Sequence, residues 1–353
     1  MRPVPVTAPR SALVAVLALS LLAATPAGSA SPAHSPTRGP AAWIPAGTPD
    51  VLVTDQASKR ILLLDGARRR WDPAADPAAV KWAFSPVGDP RYADLDPATG
   101  WVHPNEAKVR RHRGRTYVLT TASYGFAAVV AYPGGARYWA GTLSTGTIRH
   151  NPHSIELLPD GNVAVAASTG DEVRLYAASQ GPADVPFASY RLDDAHGLQW
   201  DARRRVLWAL GGDRLVALKP GGTAARPTLA ADFEVPLPTP HGHDLGQVAG
   251  RPGRLWVSSG SAVYQYVKRT GAFLRDYPGA AGISRARVKS VGDDPGTGQV
   301  ASTVPESGLG ETWWTRKVTV HRPGGGYELV NGGIYKARWW LPGGPRSGGS
   351  RRS

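Results

Sequence analysis

Short apolar runs separated by turn residues fill the chain between residues 50 and 340. Around Asp160-Gly161, Ile155 and Leu157 alternate with polar residues on one side, and Val163 and Val165 do so on the other. An Asp-Gly pair between two alternating runs is a strong β-hairpin signal. Similar strands recur as DVLVTD, RILLLD, RTYVLTTA, AAVVAY, NVAVAAS, EVRLYA, RVLWAL, RLVALK, RLWVSS and AVYQYV. No convincing amphipathic helix interrupts them, so the pattern predicts an all-β fold.

Three segments repeat a longer pattern of strands and turns. They are HSIELLPDGNVAVAASTGDEVRLY, HGLQWDARRRVLWALGGDRLVAL and HDLGQVAGRPGRLWVSSGSAVYQY. Each begins with a histidine that is followed two residues later by an apolar residue. These histidines are His153, His196 and His243, at intervals of 43 and 47 residues. Such periods are typical of the four-stranded blades of a β-propeller.

The same register extends beyond the three repeats in both directions. It puts Asn105 at the histidine position of the preceding repeat and Ala286 at that of the following one. One further step reaches GIYKARWW, residues 333–340, and no further strands follow this segment to complete a blade with it. This strand would complete the blade that begins at DVLVTD, because closing the ring with both termini leaves no free sheet edge. The sequence predicts a six-bladed β-propeller over residues 50–340, closed by its C-terminal strand.

The ends of the chain differ in composition from the predicted propeller. Residues 1–30 combine two arginines, the apolar run Ala12–Ala24 and small residues, which predicts a secretory signal peptide and a secreted protein. We expect residues 31–49 to form a flexible linker and residues 341–353 a disordered basic tail. No later stretch is long and apolar enough for a membrane span. The absence of cysteine excludes disulfides, so a large core must hold the fold.

The first strand of each propeller blade lines the central channel, where equivalent positions of neighbouring blades converge. His153, His196 and His243 are therefore predicted to meet and to bind a divalent metal such as Zn, Mn or Ca. His241, two residues before His243, is either a fourth ligand or a loop residue. The alternative interpretation is that the histidines are ordinary channel lining, hydrogen-bonded to backbone or water.

Charged and polar residues follow the histidine position by three residues on several blades. The predicted substrate-binding residues are Asn105, Glu156, Gln199, Arg287 and Lys336. The predicted catalytic bases are Lys108, Lys289 and Arg338. Together they would form a cationic arc facing the imidazoles, suited to carboxylate, sulfate or phosphate groups. Alternatively, Lys108, Glu156 and Lys289 form internal ion pairs that only hold the blades together.

The formal net charge of +14 favours an anionic partner, and we expect an anionic small molecule or polysaccharide. The arginine runs at residues 68–70, 110–115 and 203–205 are interpreted as solvated loop charge. Nucleic-acid binding is not expected, because no recognisable reading module is present. We expect a monomer without a membrane span. Trp82, Trp101, Trp139, Trp313, Trp314 and Trp339 lie in less regular segments and could stack on sugar rings.

The segments PHSIELLPDGNVAVA, HGLQWD and HDLG resemble an uncharacterised family of secreted β-propellers from soil actinobacteria and Bacteroidetes. That resemblance covers residues 50–340 and implies no activity. In architecture, three channel histidines on separate blades are also similar to those of oligogalacturonate lyases and peptidyl-hydroxyglycine lyases. This second resemblance implies a divalent metal on His153, His196 and His243 and an elimination or lyase step. Asn105 or Gln199 would replace the further side-chain ligand of the oligogalacturonate enzymes.

Three functions fit these residues. In the first, the metal acidifies the proton α to the carboxylate of a uronate-like sugar, and Lys108, Lys289 or Arg338 removes that proton. In the second, the same groups bind an anionic carbohydrate or cell-wall polymer without turnover. The third, metal-dependent hydrolysis of a phosphate or lactone ester, normally needs more carboxylates than Glu156. We favour a metal-dependent lyase or hydrolase over pure binding.

Overall fold

Six β-sheets form the body of the protein in a computed structural model that describes residues 47–144, 149–182 and 185–342. The predicted all-β, six-bladed propeller is confirmed. None of the helices in these residues is long and apolar enough to cross a membrane. The predicted signal peptide, most of the predicted linker and the tail from residue 343 lie outside the described residues.

Strands are numbered along the chain. The first segment contains β1 (Val51–Asp55), β2 (Arg60–Leu64), β3 (Arg70–Trp71) and β4 (Val80–Phe84). Blade 2 consists of β5 (Pro104–His112), β6 (Arg115–Ala122), β7 (Phe126–Ala131) and β8 (Arg137–Thr142). Blade 3 consists of β9 (Pro152–Leu157), β10 (Val163–Ala167), β11 (Glu172–Tyr176) and β12 (Phe187–Arg191). Blade 4 consists of β13 (Gly197–Asp201), β14 (Val206–Leu210), β15 (Arg214–Thr223) and β16 (Arg226–Pro236).

Blades 5 and 6 follow the same plan. Blade 5 consists of β17 (Asp244–Gln247), β18 (Arg254–Ser258), β19 (Val263–Val267) and β20 (Ala272–Leu274). Blade 6 consists of β21 (Ser290–Asp293), β22 (Val300–Thr303), β23 (Lys317–His321) and β24 (Gly325–Leu329), and β25 (Ile334–Trp339) ends the fold. The short helices are α1 (Pro97–Gly100), α2 (Ala280–Ile283) and the 3₁₀ turns Pro77–Ala79, Pro90–Leu95 and Ala178–Gln180.

The C-terminal strand closes the ring as predicted. Blade 1 has the order β25-β1-β2-β4, so its innermost strand comes from the end of the chain. The register pairs Val51 with Trp339 and Val53 with Ala337. A second link joins blades 1 and 6, because β3 pairs in parallel with β24 through Glu328 and Arg70. Both links join residues far apart in sequence.

Apolar side chains pack between neighbouring blades to form the core. Trp208 and Trp256 occupy equivalent positions on the second strands of blades 4 and 5, and each is 2% exposed. Each indole also donates a hydrogen bond to an aspartate, Trp208 to Asp201 at 3.2 Å and Trp256 to Asp293 at 2.7 Å. Their predicted role in the core between blades is confirmed, and the donors are satisfied as burial requires.

The register of blade 6 differs from the sequence prediction, which put Ala286 at the histidine position. The backbone N–H of Lys289 donates to Thr303 at 2.9 Å. The N–H groups of His196 and His243 make the same bond on their own blades, to Leu210 and Ser258, both at 2.8 Å. Lys289 is therefore the structural equivalent of the histidines. The loop before β21 is longer than the average repeat period implied. The sequence prediction therefore placed the histidine position of blade 6 three residues too early, at Ala286 instead of Lys289.

Candidate functional site

The first residues of the inner strands meet at one end of the channel. We call this end the histidine mouth and define it by five residues, His153, His196, His243, Lys289 and Tyr335. The ring centroids lie 4.3 Å apart for His153 and His196, 4.8 Å for His196 and His243, and 6.3 Å for His153 and His243. The predicted convergence of the three imidazoles is therefore present in the structure.

Hydrogen bonds orient two of the imidazoles. Nδ1 of His153 lies 3.0 Å from the carbonyl oxygen of Asn151, and Nδ1 of His196 lies 3.0 Å from that of Asp194. A carbonyl oxygen can only accept, so each ring carries its proton on Nδ1 when it is neutral. In both rings Nε2 then keeps its lone pair. Within the described part of the chain no hydrogen bond to either Nε2 is formed.

The third imidazole has a different partner. The hydroxyl of Tyr335 lies 2.8 Å from Nε2 of His243. Tyr335 occupies the inner position of blade 1 and also contacts the ring of His153, with centroids 5.9 Å apart. Sequence analysis did not identify Tyr335 as a site residue. The repeat register could have identified Tyr335, because this residue occupies the histidine position in β25, the last strand of the repeat pattern.

Burial and neighbouring positive charge lower the pKa values of His153, His243 and Lys289 at the histidine mouth. Burial, followed by the nearby His196, lowers the pKa of His153 well below its usual value. Burial and the same neighbour also lower the pKa of His243, and Lys289 and Lys336 add to the effect. Lys289 is affected as well, since burial and then Arg287 and Lys336 lower its pKa to about 8. The neutral imidazoles of His153 and His243 and a partly neutral amine of Lys289 are therefore available together near neutral pH.

A layer of buried charges closes the channel below the histidines. We call it the ion-pair layer, and its members are Glu106, Lys108, Asp244, Lys336 and Arg338. Arg338 contacts both carboxylates, with its Nη1 2.7 Å from Asp244 and its Nη2 3.2 Å from Glu106. Lys336 Nζ lies 3.3 Å from Glu106 and 3.3 Å from Asp244. Glu106, Asp244 and Lys336 are at most 1% exposed, so this layer separates the two ends of the channel.

The charges of the ion-pair layer stabilise each other against the cost of burial. Burial alone would raise the pKa of Glu106, but Arg338 and then Lys336 hold it below its usual range. The same two cations lower the pKa of Asp244 against burial. Burial lowers the pKa of Lys108 to about 8, although Glu106 opposes the shift. Three cations therefore share two carboxylates in this layer.

The predicted catalytic and binding residues fall into these two places. Lys289 lies at the histidine mouth, whereas Lys108, Lys336 and Arg338 belong to the ion-pair layer. Lys108 donates to Ser154 Oγ at 2.9 Å and to the carbonyl of Leu198 at 2.6 Å. The predicted cationic arc is thus divided between two levels of the channel. Asp244, Glu106 and Ser154 were not among the predicted site residues, although each follows the histidine position by one residue.

The remaining predicted residues have separate surroundings. Asn105 is buried and bonds to Thr121 and Ser123 within its own blade, at 2.6 and 3.0 Å. Arg287 is exposed at the histidine mouth, and its guanidinium donates to the carbonyl of Thr312 at 2.7 Å. Glu156 forms a two-bond pair with Arg110, with both distances 2.7 Å. Gln199 lies 3.5 Å from the same guanidinium. Glu156 and Gln199 stand three residues after the histidine position, at the same level as Lys108 and Arg338 and farther from the histidines than Glu106 and Asp244.

Aromatic side chains stand on the loops around the histidine mouth. His103, which precedes β5, lies 5.8 Å from Trp313 and 5.9 Å from Tyr124, measured between ring centroids. Arg149 covers the face of Tyr124 at 3.4 Å. Trp313 is half-buried, whereas Trp101 and Trp139 are 1% exposed and belong to the core. Among the six tryptophans considered for sugar stacking, Trp313 stands on a loop at this end of the channel and contacts His103.

The donor atoms at the histidine mouth suit a divalent metal in their chemistry. Neutral imidazoles with Nδ1 held by a carbonyl and Nε2 left as a lone-pair donor are the usual form of metal-binding histidine. Within residues 47–144, 149–182 and 185–342, no three His, Cys, Asp or Glu side chains already stand as a ready set of ligands. Nε2 of His243 is already bonded to the hydroxyl of Tyr335. A cation here would have to replace that phenol as the partner of His243.

The fold and this mouth together define a six-bladed β-propeller with three channel histidines on consecutive blades. The chain belongs to a family of unknown function, DUF6528, whose model matches residues 75–344. No curated protein sequence matches it.

Solved structures are similar in fold at low sequence identity. One is a protein of unknown function from Bacteroides caccae, 11% identical over 77% of this chain and 89% of that chain, with a TM-score of 0.49. Another is virginiamycin B lyase from Staphylococcus aureus, 12% identical over 65% of this chain and 69% of that chain, with a TM-score of 0.41. A catalytically inactive variant of that lyase with quinupristin matches at 12% identity over 64% and 69%, with a TM-score of 0.40.

Proposed function

We propose that this propeller is a secreted, metal-dependent lyase that acts on an anionic, uronate-like glycan at the histidine mouth. The observation that carries the proposal is the convergence of three imidazoles beside Lys289. His153, His196 and His243 would hold the cation through Nε2. In the described residues Lys289 forms no ion pair with an acid, and its nearest aromatic contact is Tyr335, 5.7 Å from the ring centroid. Secretion rests on the N-terminal sequence.

The chain's own residues have distinct roles in this proposal. The carbonyls of Asn151 and Asp194 hold two imidazoles in the tautomer that leaves Nε2 free, and the carboxylate of Asp194 also lies 3.0 Å from Nδ1 of His196. Burial lowers the pKa of His153 and of His243, so binding of a cation does not have to displace protons from these two rings. Arg287 is exposed at the edge of the mouth, where it can attract a carboxylate.

Lys289 is the proposed general base. Its pKa of about 8 leaves part of the amine neutral near neutral pH. A bound divalent cation supplies polarisation of the substrate carboxylate, which acidifies the neighbouring C–H bond. The neutral amine accepts that proton, and the C–H electron pair forms a carbon–carbon double bond. The glycosidic C–O bond breaks in the same elimination, and the leaving oxygen takes a proton from water. No oxidant or reductant is required.

The substrate class follows from charge and shape at the histidine mouth. A carboxylate would meet the cation held by the imidazoles and the exposed guanidinium of Arg287 on blade 6. A sugar ring has apolar C–H faces that pack on aromatic rings, and Trp313 and Tyr124 stand on neighbouring loops. An extended polyuronate combines these two features in every residue. Neutral polysaccharides offer the apolar C–H faces but no carboxylate.

Metal binding is the first prediction of this proposal. Protein purified without chelator and supplied with Zn or Mn is expected to hold about one ion per chain. Replacing His153, His196 or His243 with alanine should lower metal affinity at least about tenfold, because each removes one donor. Tyr335→Phe should not lower it, since that change frees Nε2 of His243. Elemental analysis and calorimetric titration measure both effects.

The matched control is His321→Ala on blade 6. His321 Nε2 lies 2.9 Å from Ser302 Oγ on the same blade, away from the histidine mouth. This variant should bind metal like the wild type. If the three channel variants and His321→Ala all retain the same metal content, or if the wild type holds none after addition of Zn, Mn and Ca, the metal site is refuted.

Elimination activity is the second prediction. Metal-loaded protein incubated with polygalacturonate should produce ultraviolet absorbance from the new double bond, whereas dextran should produce none. Lys289→Met should lower the rate by about 100-fold or more, the usual contribution of a general base. Lys219→Met, on an exposed hairpin strand, is the matched control and should leave the rate unchanged.

A non-catalytic carbohydrate-binding propeller is the second candidate. It is favoured by one observation, since two of the three predicted bases, Lys108 and Arg338, are committed to the ion-pair layer. Binding without turnover predicts that polygalacturonate is retained in a calorimetric titration while no absorbance develops with any of the three metals. That result would replace the lyase with a binding protein. Loss of binding in Arg287→Gln would place the polymer at the same mouth.

A further inference from the structure

A second cavity opens at the other end of the channel, beyond the ion-pair layer. Its volume is about 720 Å³, within the range of pockets that enclose small organic ligands. It is lined by the ends of the inner strands and the loops that follow them, and Arg338 forms part of its floor. None of the histidine-mouth residues lines it. The proposed lyase site and this cavity are therefore separate.

Glycine at two inner-strand positions creates the space. At the level of Lys108, Glu156, Gln199 and Arg338, blades 5 and 6 carry Gly246 and Gly292, which both line the cavity. A Cβ atom at Gly292 would meet nothing within 4 Å, and one at Gly246 would meet only the carbonyl oxygen of Val291, at 3.7 Å. Two of six blades thus leave their share of the channel unfilled. The opening therefore results from the missing side chains at these two glycines and not from loose packing of the neighbouring residues.

The walls combine apolar surface with an excess of positive charge. Leu157, Val248 and Leu341 contribute aliphatic surface, and Trp200 and Trp339 contribute aromatic surface. The rim carries three exposed arginines, Arg111, Arg113 and Arg203. In the part of the chain that the structure describes, none of these three forms an ion pair with a carboxylate. They are available to an anion at the cavity entrance.

The acidic residues at the cavity do not cancel this charge. Glu156 is paired with Arg110 through two hydrogen bonds. Asp201 is paired with Lys268 at 2.7 Å. Asp293 accepts hydrogen bonds from the indole of Trp256 at 2.7 Å and from the backbone N–H of Ala249 at 2.9 Å. A ligand with an anionic group would therefore complement the three exposed rim arginines.

We propose that this cavity is a binding site for a small amphipathic anion, an apolar planar molecule that carries one carboxylate, sulfonate or sulfate group. The planar body would occupy the space left by Gly246 and Gly292, between aliphatic and indole surfaces. The anionic group would point to the three rim arginines. A polyuronate, which has a charge on every sugar and little apolar surface, matches this cavity less well than it matches the histidine mouth. The ion-pair layer keeps the two ligands apart.

The test uses the fluorescent anion anilinonaphthalene sulfonate and its neutral relative phenylnaphthylamine. The sulfonate is expected to bind the full-length protein at one site with enhanced fluorescence. Gly292→Trp should lower its affinity at least about tenfold, because the indole would fill the cavity. Arg111→Gln, Arg113→Gln and Arg203→Gln should each lower it about twofold to fivefold, as expected for exposed charge pairs, without changing the neutral dye.

Matched controls distinguish binding in this cavity from non-specific effects of the substitutions. Gly324→Trp, where a Cβ atom also meets nothing within 4 Å, and Arg226→Gln on the β15–β16 hairpin should bind the sulfonate like the wild type. His153→Ala should also leave it unchanged, so this proposal can succeed or fail independently of the lyase. Equal binding by wild type and Gly292→Trp, or equal effects of the rim and control arginines, would overturn the proposal. The rim variants decide the matter if Gly292→Trp does not fold.

Discussion

A chain that ends at Gly332 is expected to lose cooperative thermal unfolding, because it lacks the strand that closes the ring. Deletion of residues 333–353 removes β25, in which Ile334, Tyr335 and Trp339 are at most 5% exposed. Burial of these three side chains contributes about 5–9 kcal/mol. That is comparable with the whole stability of an ordinary domain, about 5–15 kcal/mol. The truncated chain should therefore be largely unfolded at room temperature.

The loss is larger than the removed side chains alone suggest. Without β25, the backbone groups of Val51, Leu52 and Val53 lose their ladder partners at the centre of the molecule. Lys336 and Arg338 disappear as well, which leaves Glu106 and Asp244 buried with one remaining cation of the layer. Near-ultraviolet circular dichroism and calorimetry measure the outcome. A native signal with a sharp melting transition would contradict it.

A second truncation is the matched control. Deletion of residues 343–353 keeps all strands of the ring and should leave the melting temperature unchanged. The last described residues, Leu341 and Pro342, remain in that chain. If both truncations melt alike, closure by β25 does not stabilise the propeller in solution.

Glu106→Gln is expected to lower the free energy of unfolding by about 3–5 kcal/mol, the usual effect of removing one partner from a buried ionic group. The variant keeps the shape of the side chain and removes its charge. Lys108, Lys336 and Arg338 would then share only Asp244, and a buried excess of positive charge would remain. Denaturant unfolding at neutral pH measures the change. Arg338→Met should have an effect of similar size, with the opposite imbalance of charge.

The pH dependence of this effect gives an independent check. The pKa of Glu106 is lower in the folded chain than its ordinary value of about 4, and that of Asp244 is lowered as well. A lowered folded pKa means that the stabilisation is present above pH 4 and is lost as the pH falls towards the folded pKa. The difference between wild type and Glu106→Gln should therefore be smaller at pH 3 than at pH 7.

An exposed ion pair provides the control for these measurements. Lys219 and Asp232 lie 3.4 Å apart with side chains that are 64% and 48% exposed. Asp232→Asn should change the free energy of unfolding by less than about 1 kcal/mol, because solvent screens the pair. If Glu106→Gln is no more destabilising than Asp232→Asn, the ion-pair layer does not stabilise the fold.

The ion-pair layer also bears on function, since it divides the channel into two compartments. The histidine mouth and the 720 Å³ cavity lie on opposite sides of Glu106, Asp244 and Lys336. A ligand on one side cannot pass to the other without separating these charges. Loss of the layer would therefore affect both sites by destabilising the fold. Variants at the histidine mouth or in the cavity should each change the binding of one ligand only.

Local patterns were sufficient to predict the architecture. Alternation of apolar and polar residues predicted the strands, and the pairs Val163–Leu157 and Val165–Ile155 place the alternating apolar residues opposite each other. The period of the three histidines predicted the blade size, the number of blades and the closing strand. Each of these depends on neighbours in sequence or on repetition, which makes it accessible without tertiary information. The register on blade 6 was the exception, because loop lengths vary between repeats.

Sequence by itself therefore determined the fold of this protein and the meeting of its three histidines, because equivalent positions of a repeated blade must converge on one axis. Only the tertiary structure decided how the charges are distributed along that axis. Arg338 became part of a buried layer because Glu106 and Asp244 approach it from blades 2 and 5, and Lys108 because it reaches Ser154 on blade 3. Tyr335 became the partner of His243 across 92 residues of sequence. Such pairings arise between blades, where no local periodicity specifies which side chains face each other.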